Sequence, residues 1–94
     1  MVTVHAQVKG DGWVCEVRVD HGGAHTTHSV SVSRRDVERW ARGSDRKDVE
    51  SLVARSFDFL LEREPPSAIL ATFELSVIQR YFPEYDSTFT NRAT

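Results

Sequence analysis

The sequence predicts an α+β fold: a three-stranded antiparallel β-meander followed by helices packed on one of its faces. Three observations carry the prediction. Residues 2–33 alternate apolar and polar side chains with period two, the pattern of half-buried strands. Two glycine-rich turns, Gly10-Asp11-Gly12 and His21-Gly22-Gly23-Ala24, cut that stretch into three. After Ser33 the apolar residues recur at three- and four-residue spacing, as on helices.

The strands are expected at about 2–9, 13–20 and 25–33. Asp-Gly supplies the positive φ angles of a tight hairpin, so Asp11-Gly12 reads as the first loop. That choice sets Val8 opposite Cys15 and Val4 opposite Val19. Gly22-Gly23 as the second loop sets Cys15 opposite Val30 and Val17 opposite His28. The inward set is then Val4, Val8, Trp13, Cys15, Val17, Val19, Val30 and Val32. The other face, with Thr3, His5, Gln7, Glu16, Arg18, His25 and Thr27, is polar and reads as solvated.

Four helices are expected, at about 34–42, 46–63, 67–72 and 75–82. Ser33 with Asp36 resembles a capping box at the start of the first, and Gly43 suits its end. Asp48 and Glu50 sit early in the second helix, where negative charge meets the positive end of the dipole. The second helix has an apolar arc too wide for one neighbour (Val49, Leu52, Val53, Phe57, Phe59, Leu60), so the sheet should cover one flank and other helices the second. Asp48, Arg55, Asp58 and Glu62 are left as its solvated side. Pro65 stops it and Pro83 stops the last helix. Trp40, Ile69, Leu70, Phe73, Leu75 and Ile78 complete the expected core. Arg63 and Glu64 turn toward the apolar side and are expected to be part-buried, paired with Arg80 or Glu84.

The 94 residues suit a single domain, drawn at 1–85, with 86–94 read as a flexible tail. The net charge of −2 weighs against dedicated nucleic-acid binding without closing it off. Up to Lys47 the balance is +2, from eight Lys/Arg and six Asp/Glu, and after it −4, from four and eight. A single cysteine can form no internal disulfide and suits a reducing compartment. No secretory pattern opens the chain, and no apolar run approaches membrane-spanning length. The expected location is the cytoplasm, with no membrane partner.

Four constellations could carry chemistry. His21, His25 and His28 are close in sequence and are the metal candidates, with His5 able to come near in space, but His25 and His28 are an odd number apart on a strand and point to opposite faces. No cofactor motif accompanies them. Cys15 falls on the inward face among valines, the setting of an inert thiol rather than a nucleophile. Arg35, Arg39, Arg42 and Arg46 are spaced four, three and four apart and could present a basic stripe to phosphate or nucleic acid. Asp36, Glu38, Asp45 and Asp48 interleave with them and should neutralise much of it. The tandem segments 67–73 and 74–82 have the outline of a helix-turn-helix, with only Gln79 and Arg80 to read a groove.

The pattern Phe57-Asp58-Phe59-Leu60-Leu61-Glu62-Arg63-Glu64-Pro65, with Ile69-Leu70, Phe73, Leu75, Ile78 and Tyr81-Phe82-Pro83-Glu84-Tyr85, resembles a small bacterial protein family of about this length. The resemblance implies a shared fold, sheet first and helices after. It brings no activity, ligand or catalytic residue.

Three function classes follow. The leading one is a small non-enzymatic module that meets a protein partner or a second copy of itself. Its motives are the sheet edges and a C-terminal half rich in aromatics, with four of the five phenylalanines and both tyrosines in residues 56–85. The second is nucleic-acid or phosphate binding through the arginine stripe. The third, ranked last, is a small metal- or histidine-dependent enzyme.

Overall fold

The computed structural model describes residues 1–90. It has an α+β architecture: strands β1 (Val2–Lys9), β2 (Gly12–His21) and β3 (Ala24–Val32), helices α1 (Arg34–Trp40) and α2 (Arg46–Leu61), a single 3₁₀ turn (Pro66–Ala68), strand β4 (Thr72–Glu74), and helices α3 (Val77–Tyr81) and α4 (Glu84–Phe89). The strands lie in the order β1-β2-β3-β4. The first three form the expected antiparallel meander, and β4 pairs with β3 in parallel. No helix among the described residues is long and apolar enough to cross a membrane.

The first hairpin turns one step earlier than expected. Lys9 pairs with Gly12, so Gly10-Asp11 is the loop, and Gly10 takes the positive φ of 63°. Glycine first in a two-residue loop is the type II′ preference. Gly12 is needed elsewhere: a Cβ there would stand 2.6 Å from the Val32 carbonyl oxygen. The register therefore shifts by two residues, with Val8 opposite Trp13 and Val4 opposite Val17. An even shift keeps every side chain on its face. Ala6, opposite Cys15, joins the buried set, while Val8 moves to the hairpin end and is 67% exposed. The second hairpin has the expected loop and register, with Gly22 and Gly23 both at positive φ.

Helix α1 opens on the anticipated capping box: Asp36 N–H donates to Ser33 Oγ at 3.0 Å, and Ser33 N–H to Asp36 Oδ2 at 3.4 Å. It ends at Trp40, two residues short of expectation, because Ala41 is already extended. Gly43 has a different task from stopping it. A Cβ on Gly43 would fall 2.3 Å from an Asp48 carboxylate oxygen, and Asp48 is busy capping α2 through the Asp45 N–H.

Helix α2 is buried on two flanks, as its wide apolar arc requires. Toward the sheet side, Phe57 lies 5.2 Å from the His28 ring and 6.1 Å from Phe73. On the other flank Phe59 meets Phe82, Tyr85 and Phe89, all edge-on at 5.4–6.0 Å. Ser56, inside this stripe, is fully buried. It donates to the Leu52 carbonyl at 2.7 Å, which leaves the Tyr85 hydroxyl to donate to Ser56 Oγ at 2.7 Å. Both groups are thereby satisfied without water.

Two expectations for the C-terminal third are corrected. The helix at 67–72 is one 3₁₀ turn followed by a strand. Backbone bonds from Ser29 N–H to Ala71 O and from Leu75 N–H to Ser31 O tie that strand to β3, filling an edge that would otherwise stay open. The tail expected from residue 86 is instead α4, so the packed chain runs to Phe89 rather than stopping at Tyr85. Tyr85 is fully buried, and Phe89, one helical turn on, stacks on it at 4.4 Å. Residues 91–94 of that expected tail lie outside the described part.

Candidate functional site

The three candidate metal histidines do not converge. His21 ends β2 and is exposed. His25 faces outward and binds Asp20 across the hairpin through Nδ1, and that contact holds the Asp20 carboxyl below its ordinary pKa. His28 points the opposite way and is only 3% exposed. Its Nδ1 lies 2.7 Å from the Leu70 carbonyl, so that nitrogen carries the proton, and Nε2 lies 2.8 Å from Thr26 Oγ1. His28 is thus a core bracket that holds the segment entering β4 onto β3. No group of three or more His, Cys, Asp or Glu placed to hold a metal exists among the described residues. Cys15 has no exposure, and burial, with Glu50 as the second cause, pushes its thiol up to about 12. A thiolate is out of reach at neutral pH.

The arginine stripe is broken by α4. Arg39 Nε lies 2.8 Å from Asp86 Oδ1, which also accepts from Trp40 Nε1 at 2.9 Å. These two bonds, Arg39 first, hold the Asp86 carboxyl below its usual range. Among the described residues none of the interleaved acids forms an ion pair with a stripe arginine, although the charge of Arg39 acts on Asp36. Asp36 and Asp48 are used in capping boxes, and Glu38 pairs with Arg34 at 3.5 Å. Arg35, Arg42 and Arg46 are exposed and make no ion pair among the described residues. Arg55 was expected in solvent but is part-buried, its guanidinium carbon 5.4 Å from the Phe89 ring centre. Its Nε and Nη2 are buried without a hydrogen-bond partner among the described residues. Burial, then the charge of Arg42, pulls its pKa down. The helix-turn-helix outline fails because its first half contains β4.

The described residues also form an open apolar cleft of about 450 Å³ beside β4. Leu60 and Glu64 line it from the end of α2, Ile69 and Leu70 from the segment before β4, and Val77 and Tyr81 from α3. Phe73 forms part of its floor. Leu70, expected in the core, is 51% exposed at its mouth, and Tyr81 is 70% exposed. Leu70 faces out because its own carbonyl is held by His28 and the chain turns there into β4.

Next to Glu64, Arg63 ties the end of α2 to α4. It donates from Nη1 to the Phe59 carbonyl at 2.8 Å, lies 3.6 Å over the Phe59 ring, and reaches Glu84 at 3.5 Å. The expected Arg63–Glu84 pairing is therefore present. Glu64 is left on the cleft without an ion pair among the described residues.

The sequence contained the residues of the cleft but hid it. Ile69, Leu70 and Phe73 read as one helical face, whereas the observed turn and strand aim Leu70 outward and Phe73 inward. Comparison of the chain with protein-family models, with curated proteins and with solved structures finds no match in any of the three.

Proposed function

We propose that this chain is a small non-enzymatic interaction module of the bacterial cytoplasm that docks a partner polypeptide in the cleft between α2, α3 and β4. One observation carries the reading: two large apolar side chains, Leu70 and Tyr81, stand exposed around a concave apolar floor instead of joining the core. Isolated exposed apolar residues are ordinary, but a contiguous concave group is the usual mark of a binding surface. The buried, high-pKa Cys15 and the dispersed histidines support a binding rather than a catalytic role.

The test compares Leu70→Asp and Tyr81→Asp with Thr27→Asp on the polar sheet face. Both cleft variants should keep the wild-type melting temperature and lose partner binding by more than about tenfold, the scale of one buried anchor. Thr27→Asp should change neither. Equal loss in all three variants, or none in the cleft pair, refutes the reading.

A second reading, oxyanion binding, is favoured by Arg55. Two buried donors without partners among the described residues, with Arg42 nearby, make a region that a phosphate or carboxylate would stabilise. Here the melting temperature should rise with inorganic phosphate at constant ionic strength, and Arg42→Gln should remove the rise. No rise at all ends this reading.

A further inference from the structure

The cleft borders a strand edge whose backbone groups are unpaired. Ala71, Phe73 and Leu75 direct their backbone bonds at β3, as the Ser29 N–H to Ala71 O and Leu75 N–H to Ser31 O bonds show. Alternate residues of a strand point their N–H and C=O to opposite sides, so those of Thr72 and Glu74 face away from the sheet. Both residues are exposed, and neither has a further backbone partner among the described residues. On the sheet's inner side, between these two, sits Phe73 on the cleft floor.

Resting on the docking role proposed above, we propose that the occupant is an extended peptide that adds as a fifth strand along β4. It bonds to the outward N–H and C=O of Thr72 and Glu74 and sets a large apolar side chain, flanked by lysine or arginine, beside Phe73. Directly opposed residues on neighbouring strands place their side chains on the same face. The residue opposite Phe73 is therefore delivered into the cleft, while its two neighbours point to the polar side. This is strand addition, with main-chain bonds giving affinity and a pocket for alternate side chains giving specificity.

The chemistry selects this occupant over others. A helix spends its own backbone groups internally and cannot satisfy the Thr72 and Glu74 edge. The charged residues of β4 and of the cleft lining are Glu74 and Glu64, and neither makes an ion pair among the described residues. Basic residues flanking the anchor complement them, and an acidic peptide would be repelled. A second copy is disfavoured by the same charges, because two β4 strands meeting about a twofold axis bring two Glu74 and two Glu64 to one junction.

The experiment selects binders to the full chain from a displayed library of random linear peptides and measures the best as a synthetic peptide. The expected peptide pairs an aromatic or large aliphatic residue with adjacent Lys or Arg. Tyr81→Asp should abolish its binding. Methylation of the peptide backbone at alternate nitrogens should weaken it by about tenfold, whereas methylation at the intervening nitrogens should have little effect. Thr72→Pro removes one outward N–H while leaving the β3 bonds intact, and should weaken binding similarly. If that variant does not fold, the methylation series decides alone, since it leaves the protein untouched.

A peptide that needs Tyr81 yet tolerates methylation at every nitrogen overturns strand addition and leaves the docking role standing. A library that gives no peptide sensitive to Tyr81→Asp overturns both.

Discussion

Strands β1 and β4 are the two edges of one sheet, but they differ in length and in what lies along their open sides. β1 runs eight residues, and the carboxylate of Glu50 on α2 accepts the outward N–H of Ala6 at 2.9 Å in its middle. β4 runs three residues and leaves the outward groups of Thr72 and Glu74 without backbone partners among the described residues. A long bare edge invites pairing with other chains, and natural sheets block it with charge. A three-residue edge offers too few bonds to recruit a strand by backbone alone. It gains selectivity only where side chains add to it, as at the apolar cleft beside it.

Four substitutions probe the two edges, the most destabilising first. Phe73 is the one buried side chain of β4. Phe73→Ala should destabilise the protein by about 3 kcal/mol or more, from lost burial and the cavity left behind. Urea unfolding measures it, and a loss below about 1 kcal/mol would mean that β4 is not anchored as a strand.

His28 fastens the segment before β4 through the Leu70 carbonyl. His28→Leu keeps an apolar filling beside Phe57 but strands that carbonyl, at a cost of about 2 kcal/mol. Amide hydrogen exchange should quicken at Phe73 and Leu75 and not in β1. Uniform quickening would show that the two edges open together.

The next effect is set by pH and reads the guarded side. Cys15 pairs with Ala6 behind Glu50, and its folded thiol lies near 12 against an ordinary 9.0. The unfolded chain therefore releases this proton first. Stability is full well below pH 9 and has fallen by about 1.4 kcal/mol at pH 10. Tyr85, pushed up by burial, adds a fall of the same sign above its ordinary 10.0. Cys15→Ala should flatten the limb just above pH 9, seen in urea midpoints. A limb unchanged by the substitution would place the thiol in solvent contact and the β1 side open.

Smallest is Glu50→Gln, which weakens a charge-assisted bond by about 1 kcal/mol or less. Its informative readout is association: light scattering should show concentration-dependent dimers that the parent lacks, with faster exchange at the Ala6 amide. A variant that stays monomeric with unchanged exchange removes Glu50 from the role of guard.

Much of the open edge was illegible in the sequence for a reason particular to its residues. Thr72-Phe73-Glu74 is too short to show alternation, and its partner Ser29-Val30-Ser31 lies some forty positions earlier. Asp86 likewise looks like a tail residue until Trp40 and Arg39 are seen beside it. α4 did carry local signals: Pro83 before it, Glu84 and Asp86 in its first turn, and Tyr85 and Phe89 four apart. The exposed Leu70 had none, since its direction depends on a bond to His28.

Features set by near neighbours were legible from the residues alone. These are the period-two strands, the glycine turns to within one step, the Ser33 capping box, the start of α2 and its two-sided burial. Each rests on backbone preferences and side-chain spacing within a few residues. The parallel β4, the inward His28, the Ser56–Tyr85 bond, the Arg39–Asp86 pair and the cleft arise only in the folded chain. Their partners are far apart along the chain, and each contact stabilises its residues only after the sheet and α2 have brought both ends together.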